Sequence, residues 1–301
     1  PLTGLYAAFV LALITSIFGG RPGMISGATG AVAVIFVGLI LELKRHFPGI
    51  EPEEILNYVF ITVVFAGVLQ ILAGVLRLGK FIRLVPQPVM FGFVNGLAII
   101  IFMAQFPNFY QKGTENLLAQ TPFLIMLGLT VLTMVIIWGL PKLTKMIPSA
   151  LVAILVVSAL VIGLNIDTMT VADTMKDGQS IKGGFPPLSI PNIDWSWESL
   201  MIIFPYAAIV AGVGLIESLL TLNIIDEITE TRGSGNRECI AQGTANIFSG
   251  FLSGMGGCAM IGQSLINTSA GARARLSGIT AAVMLLVFIM FGSSLIEKLP
   301  M

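Results

Sequence analysis

The chain has 301 residues, 55% of them hydrophobic and only 11% charged, with a mean hydropathy of +0.94. A soluble domain carries roughly 25% charged residues, so a soluble enzyme or nucleic-acid binder is excluded, and the 16 basic and 16 acidic residues leave no net field to recruit a polyanion. Two cysteines, Cys239 and Cys258, give neither a disulfide framework nor metal-ligand spacing, and the single histidine, His46, removes most histidine-based chemistry.

A helix needs about 20 apolar residues to cross a bilayer. The sequence therefore predicts an all-α polytopic membrane protein with about ten spans, near 4–18, 25–43, 55–77, 84–106, 119–140, 149–166, 199–225, 238–253, 258–270 and 276–296. The first is ordinary. Gly19-Gly20-Arg21-Pro22-Gly23 follows it, and the second carries Ser26-Gly27-Ala28-Thr29-Gly30 where a simple span would have Leu and Val. His46, in the Lys44–Pro48 loop, reads as a solvated surface residue. A connector over 167–198, rich in Gly, Pro, Asp and Trp, divides the chain in two. Its Trp195 and Trp197, beside Asp194 and Glu198, read as an interfacial belt. The run Asp226–Glu238 reads as a solvated internal loop. The ninth span is short and follows Ser253-Gly254-Met255-Gly256-Gly257; Cys258 stands at this break, where a small side chain suffices as the explanation.

If sides alternate at every crossing and the first span runs outward to inward, Arg21, Arg77, Lys80, Arg83, Lys142, Lys145, Arg232, Arg237, Arg273 and Arg275 lie inside. Lys44, Arg45, Lys112, Lys176, Lys182 and Lys298 then lie outside, and the bias favours this orientation. Pro1 is not an initiator, no signal peptide precedes the first span, and the chain stops at Leu299-Pro300-Met301 at the mouth of another apolar stretch. The expectation is a piece of a larger membrane domain.

Backbone in hydrocarbon must be hydrogen-bonded within a helix unless it lines a protected or wet cavity. The glycine clusters at 27–30 and 254–257 therefore predict two discontinuous helices, the usual pointer to a transporter binding site. A half-helix starting in mid-membrane leaves its first N–H groups unpaired, with about +0.5 charge at that end. Two such ends facing each other hold a small anion without lysine or arginine. Ser26 and Thr29 are candidate caps, and their hydroxyls candidate ligand donors. The alternative is that the glycines serve only close helix packing.

Glu217 is the second anomaly. It lies deep in an apolar span, where a charged side chain costs about 2.5–3.5 kcal/mol; Glu42 and Glu238 fall near span ends. Gly214, Glu217 and Thr221, at i, i+3 and i+7, make one small, acidic and hydroxylated face. That face suits a coupling cation: carboxylate and hydroxyl for Na⁺, or a desolvated carboxyl for H⁺. The plainer reading is a protonated acid hydrogen-bonded to a neighbouring helix.

At these residues the sequence resembles the SulP family of sulfate permeases and bicarbonate transporters, over essentially the whole chain. Gly4-Leu5-Tyr6 with Phe18-Gly19-Gly20 resembles the family's second helix, and Ile25-Ser26-Gly27-Ala28-Thr29-Gly30 the start of its third. Ile216-Glu217-Ser218-Leu219-Leu220-Thr221 is similar to the eighth. Asn236-Arg237-Glu238 through Gln242-Gly243-Thr244-Ala245-Asn246-Ile247-Phe248-Ser249-Gly250 resembles the ninth, and Gln263-Ser264-Leu265-Ile266-Asn267-Thr268-Ser269-Ala270-Gly271 the tenth.

The resemblance implies a seven-plus-seven inverted-repeat fold with discontinuous third and tenth family helices, working by an elevator motion. Residues 1–79 would supply core helices 2–4, 80–166 gate helices 5–7, and 199–301 core helices 8–11. The first helix, the last three and the STAS domain fall outside the chain. Ala28, Thr29 and Gly30 would face the anion from one half, and Ala259, Met260, Ile261, Gly262 and Gln263 from the other. Glu217, Thr221 and Ala259 would hold the coupling cation. Where many relatives carry arginine in the tenth helix, Gln263 stands here, leaving helix ends and hydroxyls as the anion donors.

The expected activity is secondary transport of sulfate or bicarbonate coupled to Na⁺ or H⁺. No cofactor is implied beyond bound Na⁺, and no nucleic acid. A bacterial inner membrane and a homodimer of the intact protein are implied. A nucleobase permease of the same fold is the main rival, although Gly256–Gly271 lacks the acid such permeases use. A channel or a voltage-driven area motor shares the architecture, and an intramembrane enzyme would need a histidine that a loop position cannot supply.

Overall fold

The computed structural model describes residues 2–80, 87–103, 105–110, 119–144, 149–166, 168, 170 and 184–292. Positions 167, 169 and 171–183 of the predicted connector lie outside the described residues, as do Arg83, Lys112, Lys145, Lys176, Lys182 and Lys298. The helices among the described residues are α1 (Leu2–Phe18), α2 (Gly30–His46), α3 (Pro52–Val75), α4 (Gln87–Met103), α5 (Gln120–Leu143), α6 (Ser149–Gly163), α7 (Trp197–Thr229), α8 (Gly235–Phe251), α9 (Ile261–Ser269) and α10 (Leu276–Phe291). Each falls on one predicted span. The departure from an all-helical chain is a pair of two-residue strands, β1 (Ser26–Gly27) and β2 (Cys258–Ala259). By length and composition α3, Thr121–Leu143 of α5, and α7 can each cross a bilayer; α1, α6 and α10 are shorter apolar helices.

The chain divides into two compact units, residues 1–97 with 183–289 and residues 98–182 with 290–301. In the second, α5 packs against α6. Thr130 and Thr133 of α5 turn their hydroxyls back to the carbonyls of Met126 and Leu129, 2.8 Å away in each case. Lys142 sits 3.3 Å above the Trp138 ring, a charged head over an amphipathic ring at the end of an apolar helix.

The first unit holds both glycine-rich segments. Lipid tails are as apolar as leucine, so helices here associate through close packing and hydrogen bonds rather than hydrophobic transfer. The tightest partnership is α3 with α8. Gly67 and Gly74 on α3, and Gly243 and Gly250 on α8, recur every seven residues and let the two backbones meet. A methyl group on Gly67 or Gly243 would strike the other's carbonyl oxygen. Leu39 and Leu43 of α2, Val59 and Val63 of α3, and Ile203, Ala207 and Val210 of α7 fill the interior beside this seam. Ser196 caps α7 by accepting from the Ser199 N–H at 3.1 Å.

The Asp226–Glu238 run is exposed at Glu227, Glu230, Arg232 and Arg237, as expected of a solvated loop, but its first and last acids depart from that solvation. Asp226 lies in the last turn of α7, accepts the Gly233 N–H at 2.9 Å, and pairs with buried Arg21 at 3.2 Å. Arg21 also donates to Thr229 and Thr231. Glu238, in the first turn of α8, is 1% exposed and accepts the Gly20 N–H at 2.7 Å. It is more deeply buried than Glu217, although the sequence placed it at a span end. The C-terminus of α1 explains the clustering, because its last carbonyls lack intrahelical partners. Arg275 donates to the carbonyls of Ser16, Ile17 and Gly19, and Arg237 to that of Phe18 at 2.8 Å. Charges are kept buried here by partners that arrive from distant parts of the chain.

The α3–α8 seam makes a direct prediction. Gly243→Val overpacks it and should cost about 1–3 kcal/mol, read as a lower unfolding temperature of the purified intact protein. Gly128→Ala, whose Cβ would meet nothing within 4 Å, should leave that temperature unchanged. Arg21→Ala should destabilise by about 3 kcal/mol, because it strands Asp226 without its buried partner; equal melting of this variant and the parent would refute a structural role for the pair.

Candidate functional site

Two irregular stretches enter the first unit from opposite ends of the sequence. One leaves α1 through Gly19–Gly20 and turns at Gly23, with φ +85°; the other leaves α8 and turns at Gly256, with φ +70°. Neither can satisfy its backbone alone in a low-dielectric interior, so they pair antiparallel with Ser26 opposite Ala259 and Gly27 opposite Cys258. Glycine at 257 is required, because a methyl group there would strike the Gly27 carbonyl. Helix interruption, rather than packing alone, accounts for the two clusters.

Polar side chains complete the hydrogen bonding. Gly257 donates to Asn246 Oδ1 at 2.9 Å, and its carbonyl accepts from Gln242 Nε2 at 3.0 Å and Asn246 Nδ2 at 3.1 Å. The Gly256 N–H donates to Ser249 Oγ, the Ala259 N–H to Ser218 Oγ at 3.1 Å, and the Ile25 N–H to Ser264 Oγ at 2.9 Å. Met260 N–H reaches the Ile25 carbonyl at 2.9 Å. Gln242, Asn246, Ser249, Ser218 and Ser264 are fully buried. These residues fix where the two following helices begin.

Thr29 is the N-cap of α2 and Met260 the N-cap of α9, and neither side chain makes a capping hydrogen bond. Ser26, the other expected cap, instead donates to Gln242 Oε1 at 3.3 Å. The cap expectation is thus corrected: both hydroxyls have partners across the fold. The first-turn N–H groups of two helices are left without side-chain acceptors, which is an anion-seeking arrangement.

Gly30, Gly262 and Gln263 are exposed in the first turns, while Ala28, Thr29, Met260 and Ile261 are half-buried. Ala259 is buried in β2, and the Met260 methyl lies over Gly27. Glu217, half-buried on α7, is met by Cys258, whose thiol donates to its Oε2 at 2.5 Å. Thr29 Oγ1 lies 3.3 Å from the same sulfur. Glu217 and Thr29 are therefore joined through Cys258, a residue that its sequence position explains by small size alone. Thr221, 1% exposed, turns its hydroxyl to the Glu217 carbonyl at 2.8 Å rather than to the carboxylate. Beyond Cys258, Ser218 and Gln70 were also missed, being ordinary residue types whose meaning lies in their partners. Gln70 accepts from Asn246 through Oε1, while its buried Nε2 makes no hydrogen bond and abuts Gly214.

No group of three or more His, Cys, Asp or Glu that could hold a metal ion occurs among the described residues. An apolar cavity lined by Phe65, Trp197, Leu200, Met201, Ile203, Phe204 and Pro205 lies at the other end of α7, its nearest lining residue, Pro205, about three helical turns from Glu217.

The chain is 42% identical over 301 residues to the putative sulfate transporter YbaR of Bacillus subtilis, covering all of this chain and 58% of that protein. It is 35% identical to the bicarbonate transporter BicA of Picosynechococcus, covering 99% of this chain and 54% of that one. The chain thus spans a little more than half the length of these relatives. The solved transmembrane domain of a cyanobacterial bicarbonate transporter BicA superposes with a TM-score of 0.85 at 29% identity, over 99% of this chain and 77% of that one. Murine Slc26a9, an anion transporter in an inward-facing state, shares the fold with a TM-score of 0.77 at 17% identity, over 99% of this chain and 53% of its own. With the sulfate permease family matching residues 1–301 from end to end, the chain belongs to that family of integral, multi-pass membrane proteins.

Proposed function

We propose that the intact protein is a secondary transporter of a small inorganic anion, sulfate or bicarbonate, coupled to Na⁺ or H⁺, in a bacterial plasma membrane. The relatives named above supply the substrate class. The observation that carries the mechanism is Glu217, a lone acid in mid-helix, lying against the strand pair that launches two uncapped helix N-termini.

Each helix end favours an anion by about 0.3–1 kcal/mol, and up to about 2 in buried geometry. An ionised carboxylate about 4 Å from that anion opposes it by about 4 kcal/mol at an effective dielectric near 20. The acid therefore outweighs the dipoles until a cation neutralises it. Anion affinity rises when the cation binds, and cation affinity rises equally when the anion binds. Ala28, Thr29, Gly30 and the 259–263 segment receive the anion. Glu217 receives the cation, with Thr221 bracing its helix turn. The helices of 1–79 and 199–301 act as the moving core and those of 80–166 as the gate of an elevator.

Glu217→Gln removes the charge that the cation cancels. In proteoliposomes of the intact protein, uptake of labelled sulfate or bicarbonate should then become indifferent to imposed Na⁺ and pH gradients. Varying the two gradients independently in the parent identifies the cation, and unchanged gradient dependence in the variant overturns the reading. Flux that grows linearly with anion concentration would instead mark a channel. Gln263→Arg, on an exposed first turn of α9, should lower the anion KM about tenfold through a charge-assisted hydrogen bond and weaken the response to the cation gradient.

A further inference from the structure

We propose that Cys258 is a positioning residue that transmits the state of Glu217 to the Thr29 hydroxyl, turning that hydroxyl into an anion donor only when the cation is bound. The proposal rests on the assignment of Glu217 to the cation and of Thr29 to the anion made above.

The three side chains come from α7, β2 and the N-cap of α2, and Cys258 is the one that touches both others. Its sulfur lies 2.5 Å from Glu217 Oε2 and 3.3 Å from Thr29 Oγ1. It is fully buried, so the sulfur has no water to turn to. Thr221 is no competitor, since its hydroxyl is directed at its own helix backbone. Thr29 is free to respond, because it makes no capping bond. A second observation places an uncommitted donor in the same spot. Gln70 Nε2 is fully buried and without a partner, and it and Cys258 Cβ flank Gly214, one helical turn from Glu217.

A thiol and a hydroxyl each carry one hydrogen, and an ionised carboxylate only accepts. With Glu217 ionised, the S–H points to Oε2 and the sulfur accepts the Thr29 O–H. The threonine hydrogen is then engaged, and its oxygen presents lone pairs toward the α2 N-terminus, which an anion avoids. When a monovalent cation occupies the carboxylate, the S–H loses its acceptor and turns to Thr29 Oγ1. The Thr29 O–H is released and points outward as a donor. Two single-bond rotations reverse the chain, and no covalent bond forms or breaks.

The test is the anion KM of the intact protein in proteoliposomes, measured with and without the coupling cation that the parent uses. Cys258→Ala should reduce the cation-induced gain in anion affinity about tenfold, with kcat at saturating anion changed far less. Cys258→Ser, which keeps one donor and one acceptor, should restore the gain. Thr29→Ala should lose the same amount, and the Cys258→Ala/Thr29→Ala double variant should lose no more than either single one. If Cys258→Ala does not assemble, Thr29→Ala and Cys258→Ser still decide the matter from the two ends of the relay. A full cation response in Cys258→Ala, additive losses in the double variant, or a Cys258→Ser protein without the response would each overturn the relay. Loss of gradient dependence in Glu217→Gln together with a normal Cys258→Ala would sink the relay alone; an unaffected Glu217→Gln would sink the transport reading beneath it.

Discussion

Four residues of β-ladder govern this architecture. A polypeptide that stops being helical inside a membrane exposes N–H and C=O groups that cost several kcal/mol each when left bare. Ser26–Gly27 and Cys258–Ala259 answer that demand by pairing with each other, which ties two segments more than 200 residues apart in sequence. The pairing then dictates the surroundings. It needs Gly257, because there is no room for a Cβ beside the Gly27 carbonyl. It also draws Asn246, Gln242, Ser249, Ser218 and Ser264 inward, because the strand edges left unpaired still need partners.

The same constraint explains the packing of α3 on α8. Helix α8 carries Gln242, Asn246 and Ser249 on the face that meets the strands, which leaves Ile240 and Ile247 to pack on α3 over Gly74 and Gly67. Glycines on both helices let the backbones approach and make notches for Ile240 and Ile247 of α8 and for Val64 and Ile71 of α3. The close approach in turn brings Gln70 of α3 to Asn246, at 2.7 Å, and completes the polar cluster from behind. Small residues and buried amides are thus two consequences of one requirement.

Much of this was legible in the sequence. Long apolar runs set the ten α-helices of the described residues, because hydrocarbon thickness imposes a length on spans, and glycine-rich gaps where leucine belongs marked the two interruptions. Glu217 stood out because a lone charge amid apolar residues has few inexpensive explanations. What escaped were roles created by distant partners. Asp226 and Glu238 look like loop charges until Arg21 and the Gly20 amide arrive from the other half of the chain. Cys258 is a small residue at a break until folding sets it between Glu217 and Thr29. Thr29 was misjudged as a cap because its type and position suit one, while the sulfur opposite it offers a competing partner. Periodicity and hydropathy report a residue's relation to its own element; they carry no information about which side chain will stand across from it.

The two half-sites are also unequal, and the inequality bears on how a carrier of this design operates. One N-terminus opens with a hydroxyl, at Thr29; the other opens with a thioether, at Met260, folded over Gly27. The first turn of α9 adds Gln263, a neutral amide. No described helix brings a lysine or arginine to this point, since the basic side chains of the first unit gather at helix ends, as with Arg21, Arg237 and Arg275. An anion held only by helix ends and neutral donors is held weakly, and that suits a protein that must also release it. A fixed positive charge would raise affinity in every state alike, and uniform binding cannot drive a cycle. Under the proposed assignment of Glu217, placing the strongest electrostatic term on an acid that a cation can neutralise makes affinity depend on state. In the transport cycle proposed above, dipoles of about 1 kcal/mol set against a repulsion of about 4 leave the acid to decide which state binds.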